Sequence, residues 1–218
     1  MKALFPKNKF KNSLMNKKCI LFDADGVVIN SELFTVQYQK QFGISNDEML
    51  PFFKGIFQDC LVGKADLKKV VQPYLKKWEW EGDVDGFLLF WFKAEHNIDK
   101  RVIELISDLR KNAVLCYLAT NQEKYRTEYM RKEMGFDKVF DGIFSSAEIG
   151  SKRPDREFYE FIFREVAKKG ISKEQIFYID DTASHVESAE EQGVDAHLYS
   201  DFEEFNGFVR PLIKKGFH

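Results

Sequence analysis

Three short apolar runs, each ending in residues that carry oxygen chemistry, constrain this chain more than any other feature. Cys19-Ile-Leu-Phe leads into Asp23, Ala113-Val-Leu-Cys-Tyr-Leu-Ala119 into Thr120 and Asn121, and Gln175-Ile-Phe-Tyr-Ile179 into Asp180 and Asp181. Apolar runs of this length predict short buried strands. Between and after them, apolar residues recur at helical spacing over 101–111 (Val102, Leu105, Ile106, Leu109), 124–134, 156–168 and 185–192. Strands alternating with helices predict an α/β fold with a central parallel sheet, completed by short strands at 142–144 and 196–199. Open sheets of this kind bind ligands beyond the carboxyl ends of their strands, so the three polar strand ends predict one site.

The interval 31–98 breaks the alternation. It is helical in pattern and aromatic-rich (Phe52, Phe53, Phe57, Trp78, Trp80, Phe87, Phe90, Trp91, Phe92), with a capping-box signature from Ser45 to Glu48. It reads as a helical domain inserted into a core made of 19–30 and 99–218, preceded by a basic tail, 1–18. At 218 residues, 44% hydrophobic and 31% charged, the chain suits one soluble domain with an insertion. That composition excludes disordered, collagenous and disulfide-scaffold classes. Lys2, Lys7, Lys9, Lys11, Lys17 and Lys18 meet no acid in the tail, and without those six charges the net charge of −2 becomes −8. An acidic body offers no field for nucleic acid, and the tail reads as a frayed terminus. Cys19, Cys60 and Cys116 are odd in number and set among apolar neighbours, as expected of buried thiols in a reducing, cytoplasmic setting. No run of about 18 apolar residues and no secretory signal is present, so no membrane partner is expected.

At the first strand end, Asp23-Ala-Asp25-Gly26 can aim two carboxylates at one point, and the glycine lets the chain turn at once. Asp83-Val-Asp85-Gly86 repeats the pattern after a turn-like acidic stretch and reads as a solvated loop. At the second strand end, Thr120 and Asn121 present a hydroxyl and N–H groups near a helix start at Glu123, an anion-binding arrangement. Lys152-Arg153-Pro154 places cations at a helix entrance, with proline in the first turn. Carboxylates, a hydroxyl and a cation around one cleft suit Mg²⁺ and a phosphoryl group. Thr120 alone can equally cap a helix, and Asp180 can equally bind loop backbone. His96, His185, His197 and His218 share no ligand spacing and are assigned to no metal. The aromatics of 31–98 read mainly as the core of that insertion, and Lys54 and Lys64 as surface residues.

In this order and spacing the four segments resemble the haloacid dehalogenase superfamily, specifically its phosphatase-type members with a helical cap between the first and second motifs. The resemblance covers the chain after residue 18. It implies a Rossmann-like three-layer core with an inserted α-helical cap. Asp23 is then the nucleophile that forms an aspartyl-phosphate, and Asp25 protonates the leaving oxygen and later deprotonates water. Mg²⁺ is implied on the Asp23 carboxylate, the Asp25 backbone carbonyl and Asp181, with Asp180 supporting through water or as an alternative ligand. Thr120 and the Asn121 N–H are implied as phosphate contacts. In relatives a lysine directly precedes the motif proline, whereas here Arg153 fills that place and Lys152 comes one residue earlier. Either Arg153 substitutes as the cation, or a loop shift brings Lys152 in. The expected activity is Mg²⁺-dependent hydrolysis of a small phosphorylated metabolite (a sugar phosphate, phosphoglycolate or a nucleotide) by a monomer or homodimer. The alternatives are a non-catalytic or weakly active phosphate-binding regulator and a phosphosugar mutase.

Overall fold

The computed structural model describes residues 16–213. Lys2, Lys7, Lys9, Lys11 and His218 lie outside the described residues. Five parallel strands form one sheet: β1 (Cys19–Phe22), β2 (Leu115–Thr120), β3 (Gly142–Ser145), β4 (Ile176–Asp180) and β5 (Asp195–Leu198), in the order β3-β2-β1-β4-β5. Strand side chains alternate between faces, and the burial follows that alternation. Ile20, Phe22, Cys116, Leu118, Phe177 and Ile179 face one apolar core with Val102, Leu105, Ile106 and Leu109 of α6 (Lys100–Lys111) and Phe205 and Val209 of α12 (Phe202–Ile213). Cys19, Leu21, Tyr117, Ala119 and Tyr178 face the other, with Phe158, Ile162 and Val166 of α10 (Arg156–Ala167) and Val186 and Ala189 of α11 (Ala183–Glu191). Both faces are covered, which is why the strands read as unbroken apolar runs. The result is the expected Rossmann-like three-layer α/β core.

Five helices lie between β1 and α6: α1 (Phe34–Phe42), α2 (Asn46–Lys54), α3 (Phe57–Leu61), α4 (Leu67–Leu75) and α5 (Val84–Ala94). They enclose an aromatic centre in which Phe34, Tyr38, Phe52, Trp78 and Phe87 are buried, and the Tyr38 hydroxyl donates to the Trp78 carbonyl at 2.8 Å. The capping box forms at Ser45 and Glu48. After β2 come α7 (Lys124–Lys132) and α8 (Phe136–Val139), and the four-residue α9 (Ser146–Ile149) follows β3. Among the described residues no helix is long and apolar enough to cross a membrane.

Some local expectations change. Asp83 and Asp85 do not form a loop: Asp83 caps α5 by accepting from the Gly86 N–H at 2.7 Å, and Asp85 in its first turn pairs with Lys68 at 2.5 Å. The cap satisfies a helix-end donor that would otherwise lack a partner. Pro154 lies outside a helix, because α10 starts at Arg156 after its N-cap Asp155, so Lys152 and Arg153 belong to a loop. Lys17 and Lys18, counted with the tail, are docked. Lys17 is buried, pairs with Asp195 at 2.7 Å and donates to the Glu174 carbonyl at 2.6 Å, while Lys18 exchanges backbone bonds with Gln175 and Leu115. All three cysteines are buried free thiols. The insertion depends on its aromatic centre, so Trp78→Ala is expected to cost about 3–5 kcal/mol, read as a lower urea midpoint in equilibrium unfolding.

Candidate active site

Parallel register assembles the site. Phe22 of the central strand pairs with Leu118 and with Ile179, so the residue after it, Asp23, stands level with Ala119 and Asp180, and Thr120 lies one step beyond. Asp23 is buried, and its Oδ1 accepts the Ala24 N–H at 2.6 Å. The chain then turns tightly through backbone bonds from Val28 and Ile29 to the Ala24 carbonyl and from Gly26 to Ile29. Gly26 is required twice over: its φ is +81°, and a Cβ there would meet Asp181 Oδ2 at 1.9 Å. The Asp181 carboxylate thus lies against the loop that carries Asp23 and Asp25.

Arg153 fills the space between the first and last strand ends. Its side chain is 3% exposed, with Nη2 2.9 Å from Asp23 Oδ1 and Nη1 paired to Asp180 Oδ2. Nη1 also donates to the Tyr178 hydroxyl at 2.9 Å. The Asn121 side chain clamps the Arg153 peptide, accepting from its N–H at 2.9 Å and donating to its carbonyl at 3.0 Å. Lys152 points elsewhere and donates to Gln58 Oε1 on α3. Of the two cations left open by the sequence, Arg153 is the one brought to the acids.

Asp180 is fully buried and saturated with donors: Arg153, the Tyr178 hydroxyl, the Thr182 N–H at 2.8 Å, and His185 Nδ1 at 3.1 Å from Oδ2. Burial raises its pKa, but the hydrogen bonds and the charge of Arg153 outweigh burial and hold it below the ordinary aspartate value. For Asp23 burial wins over Arg153 and pushes the carboxyl up to about 7. Asp181 is raised by burial and by the charge of Asp180. Asp23, Asp180 and His185 each place one ligand atom within 4.8 Å of the others. His185, excluded above by spacing, therefore belongs beside the site, as does Tyr178. Their only sequence signals were a position within a few residues of a strand-end acid.

Thr120 is 1% exposed, and its Oγ1 has no hydrogen-bond partner among the described residues. It does not cap α7, because Glu123 does, with its carboxylate accepting the N–H groups of Tyr125 and Arg126. A buried hydroxyl without a protein partner is rare and leaves Thr120 Oγ1 able to bond a water or ligand oxygen. Asp25 differs from the buried Asp23 and Asp180, with a side chain 53% exposed whose Oδ2 accepts from Gln122 Nε2 at 2.5 Å. The available donors are hard oxygens on converging carboxylates, and burial disfavours charge on Asp23 even with Arg153 beside it, so a further cation is favoured there and the residues present fit magnesium. Two open clefts, of ≈560 and ≈710 Å³, lie beside the start of β2 and on the insertion and contain none of these residues.

The family profile described as haloacid dehalogenase-like hydrolase matches residues 20–198. A sesquiterpene phosphatase of Aspergillus oryzae is 33% identical over 102 residues, 46% of this chain and 50% of that protein, so the match spans half the length of that relative. A pyrimidine 5′-nucleotidase of Streptococcus pneumoniae is 22% identical over 200 residues, 84% of each chain. Among solved structures, a haloacid dehalogenase family enzyme of Bacteroides thetaiotaomicron in complex with magnesium and inorganic phosphate superimposes with a TM-score of 0.71 at 18% identity. That superposition covers 87% of this chain and 98% of the other and shows the shared fold.

The raised pKa of Asp23 predicts a pH signature in metal-free protein. Unfolded, this carboxyl releases its proton near 3.8, whereas folded it keeps it to about 7, so stability falls as pH rises through that window and levels off above it. Asp23→Asn carries no such charge. Its stability relative to wild type is expected to grow from pH 4 to 7, measured by urea unfolding in EDTA.

Proposed function

The chain belongs to the haloacid dehalogenase-like hydrolase family, and from that premise we propose that it is a magnesium-dependent phosphatase acting on a small phosphorylated metabolite through an aspartyl-phosphate. One observation carries the reading: the buried Asp23–Arg153–Asp180 bridge stands at the strand ends where the unpartnered Thr120 hydroxyl also lies. The relatives named as a phosphatase and a nucleotidase support it.

In the first step an Asp23 oxygen attacks phosphorus; the new P–O bond forms as the bond to the leaving oxygen breaks, and Asp25 donates the proton that the leaving oxygen takes up. In the second, water attacks the phosphorus, Asp25 takes its proton, and the bond to Asp23 breaks to release phosphate. Thr120 and the Asn121 N–H hold the non-bridging oxygens. Arg153 keeps Asp23 in line and faces the developing charge, the part a lysine plays in relatives. Lys152 ties the loop to α3 rather than meeting phosphate. Asp23, the Asp25 backbone carbonyl and Asp181 would hold magnesium, with Asp180 fixing the surrounding geometry. The ion supplies neutralisation of the repulsion between an anionic nucleophile and an anionic substrate.

Hydrolysis of p-nitrophenyl phosphate tests the reading directly. Wild type with Mg²⁺ is expected to turn over, EDTA to abolish activity, and Asp23→Asn to reduce it to background. Asp25→Asn should lower kcat by about 10²–10⁴-fold. Full activity in Asp23→Asn would remove the nucleophile assignment. Arg153→Ala strands two buried carboxylates, so we expect a destabilisation of about 3–5 kcal/mol together with loss of turnover, whereas Arg153→Lys should recover part of both, checked by unfolding and initial rates.

A further inference from the structure

Asp25 is far more open to solvent than the two buried acids of the site. Its side chain is 53% exposed, whereas those of Asp23 and Asp180 are 6% and 0% exposed. An exposed carboxylate samples several rotamers, and time spent away from the leaving oxygen is lost to proton transfer. Two side chains that follow β2 reach it: Gln122 Nε2 donates to Oδ2 at 2.5 Å, and Arg126 Nη2 lies 3.8 Å from Oδ1.

Both are anchored at their other ends. The Gln122 carbonyl accepts from the hydroxyls of Ser145 at 3.0 Å and Ser146 at 3.3 Å, and from the Ala147 N–H at 3.2 Å. Arg126, 2% exposed, donates to the Phe92 carbonyl at 3.1 Å and lies 3.4 Å from Glu95 Oε2, while Glu95 Oε1 accepts the Phe34 N–H. One rigid chain of contacts thus runs from the β3–α9 junction through Gln122 to Asp25, and a second runs from Arg126 to the place where the insertion returns to the core.

We propose that Gln122 is the positioning residue for Asp25, holding one carboxylate oxygen so that the other faces the leaving group, with Arg126 bracing the same carboxylate against the base of α5. The proposal rests on the phosphatase reading above. A carboxamide suits the task because it donates strongly to a carboxylate yet does not itself ionise, so it takes no part in the proton inventory.

The test is kcat/KM across phosphate monoesters of graded leaving group, from 2,4-dinitrophenyl through phenyl to alkyl, with Mg²⁺, for wild type, Gln122→Met and Gln122→Glu. The first variant keeps side-chain length without a donor, and the second keeps shape while repelling Asp25. This parameter reports transfer to Asp23, the step that needs the proton. The expected result is a loss of about 30-fold or more for alkyl esters, a share of the usual general-acid factor, that shrinks steadily toward the dinitrophenyl ester, whose leaving group departs without a proton. A loss of equal size along the whole series, or no loss with any ester, would overturn the role of Gln122 and leave the phosphatase reading standing. Wild type inert toward every ester would overturn that reading, and this proposal with it.

Discussion

The site depends on one buried guanidinium. Arg153 sits between two carboxylates that converge because parallel register leaves them no other arrangement, and without it Asp23 and Asp180 would face each other in a water-poor space. Such a bridge does not simply stabilise the fold, since removing all three charges from water costs several kcal/mol per ion. It makes the arrangement single-valued. Arginine achieves this by its shape: Nη2 takes Asp23, Nη1 takes Asp180 and Tyr178, and the peptide of the same residue is clamped by Asn121. An ammonium has no fixed fork with which to span two acids. Three carboxylates share this one guanidinium, and Asp23 and Asp181 are both held above the ordinary aspartate value, so a divalent ion placed among them would favour their ionised forms.

The fold delivers these residues by elementary means. A central strand buried on both faces must be apolar up to its end, and its first polar residue marks where the sheet meets the cleft. The turn after it needs a left-handed residue, which Gly26 supplies at φ +81°, and a Cβ there would also displace the Asp181 carboxylate. The insertion touches the cleft through a few polar contacts, Gln58 with Lys152 and Asp66 with Lys124 and Tyr125. They lie beside a single apolar core that runs from the aromatic centre of these helices to one face of the sheet, through contacts such as Phe92 with Tyr129.

Asp23, Thr120 and Asp180 were readable from sequence because each ends an apolar run, and the helices of the core because their apolar spacing is regular. The two Asp-x-Asp-Gly copies separated by context for a sound reason, although the second proved to start a helix instead of a loop, since an aspartate after a turn is a good N-cap. What escaped were contacts that no local pattern encodes. Gln122 reaches Asp25 across 97 positions and Arg153 reaches Asp180 across 27, and a glutamine in a loop has no periodicity to betray it. His185 shares no fixed spacing with another histidine or cysteine because its partner is a carboxylate five residues earlier, brought close by the first turn of α11. Lys17 looked like part of a charged tail because charge is visible in sequence and burial against Asp195 is not.

Two carboxylates separated by one residue end in unlike surroundings, and that difference fits the division of labour proposed for them. Asp23 is enclosed, fixed by the Ala24 N–H and by Arg153, which is what a nucleophile needs: one geometry and little freedom. Asp25 keeps about half of its surface open, which is what a group that passes protons to a leaving oxygen and takes them from water requires. The single intervening residue, Ala24, is fully buried and anchors the turn through its carbonyl, so the two side chains part from a common rigid point. Burial would make both acids poor proton exchangers and exposure would leave both badly aimed, so the short Asp-Ala-Asp-Gly segment works only because the sheet ends between its two acids.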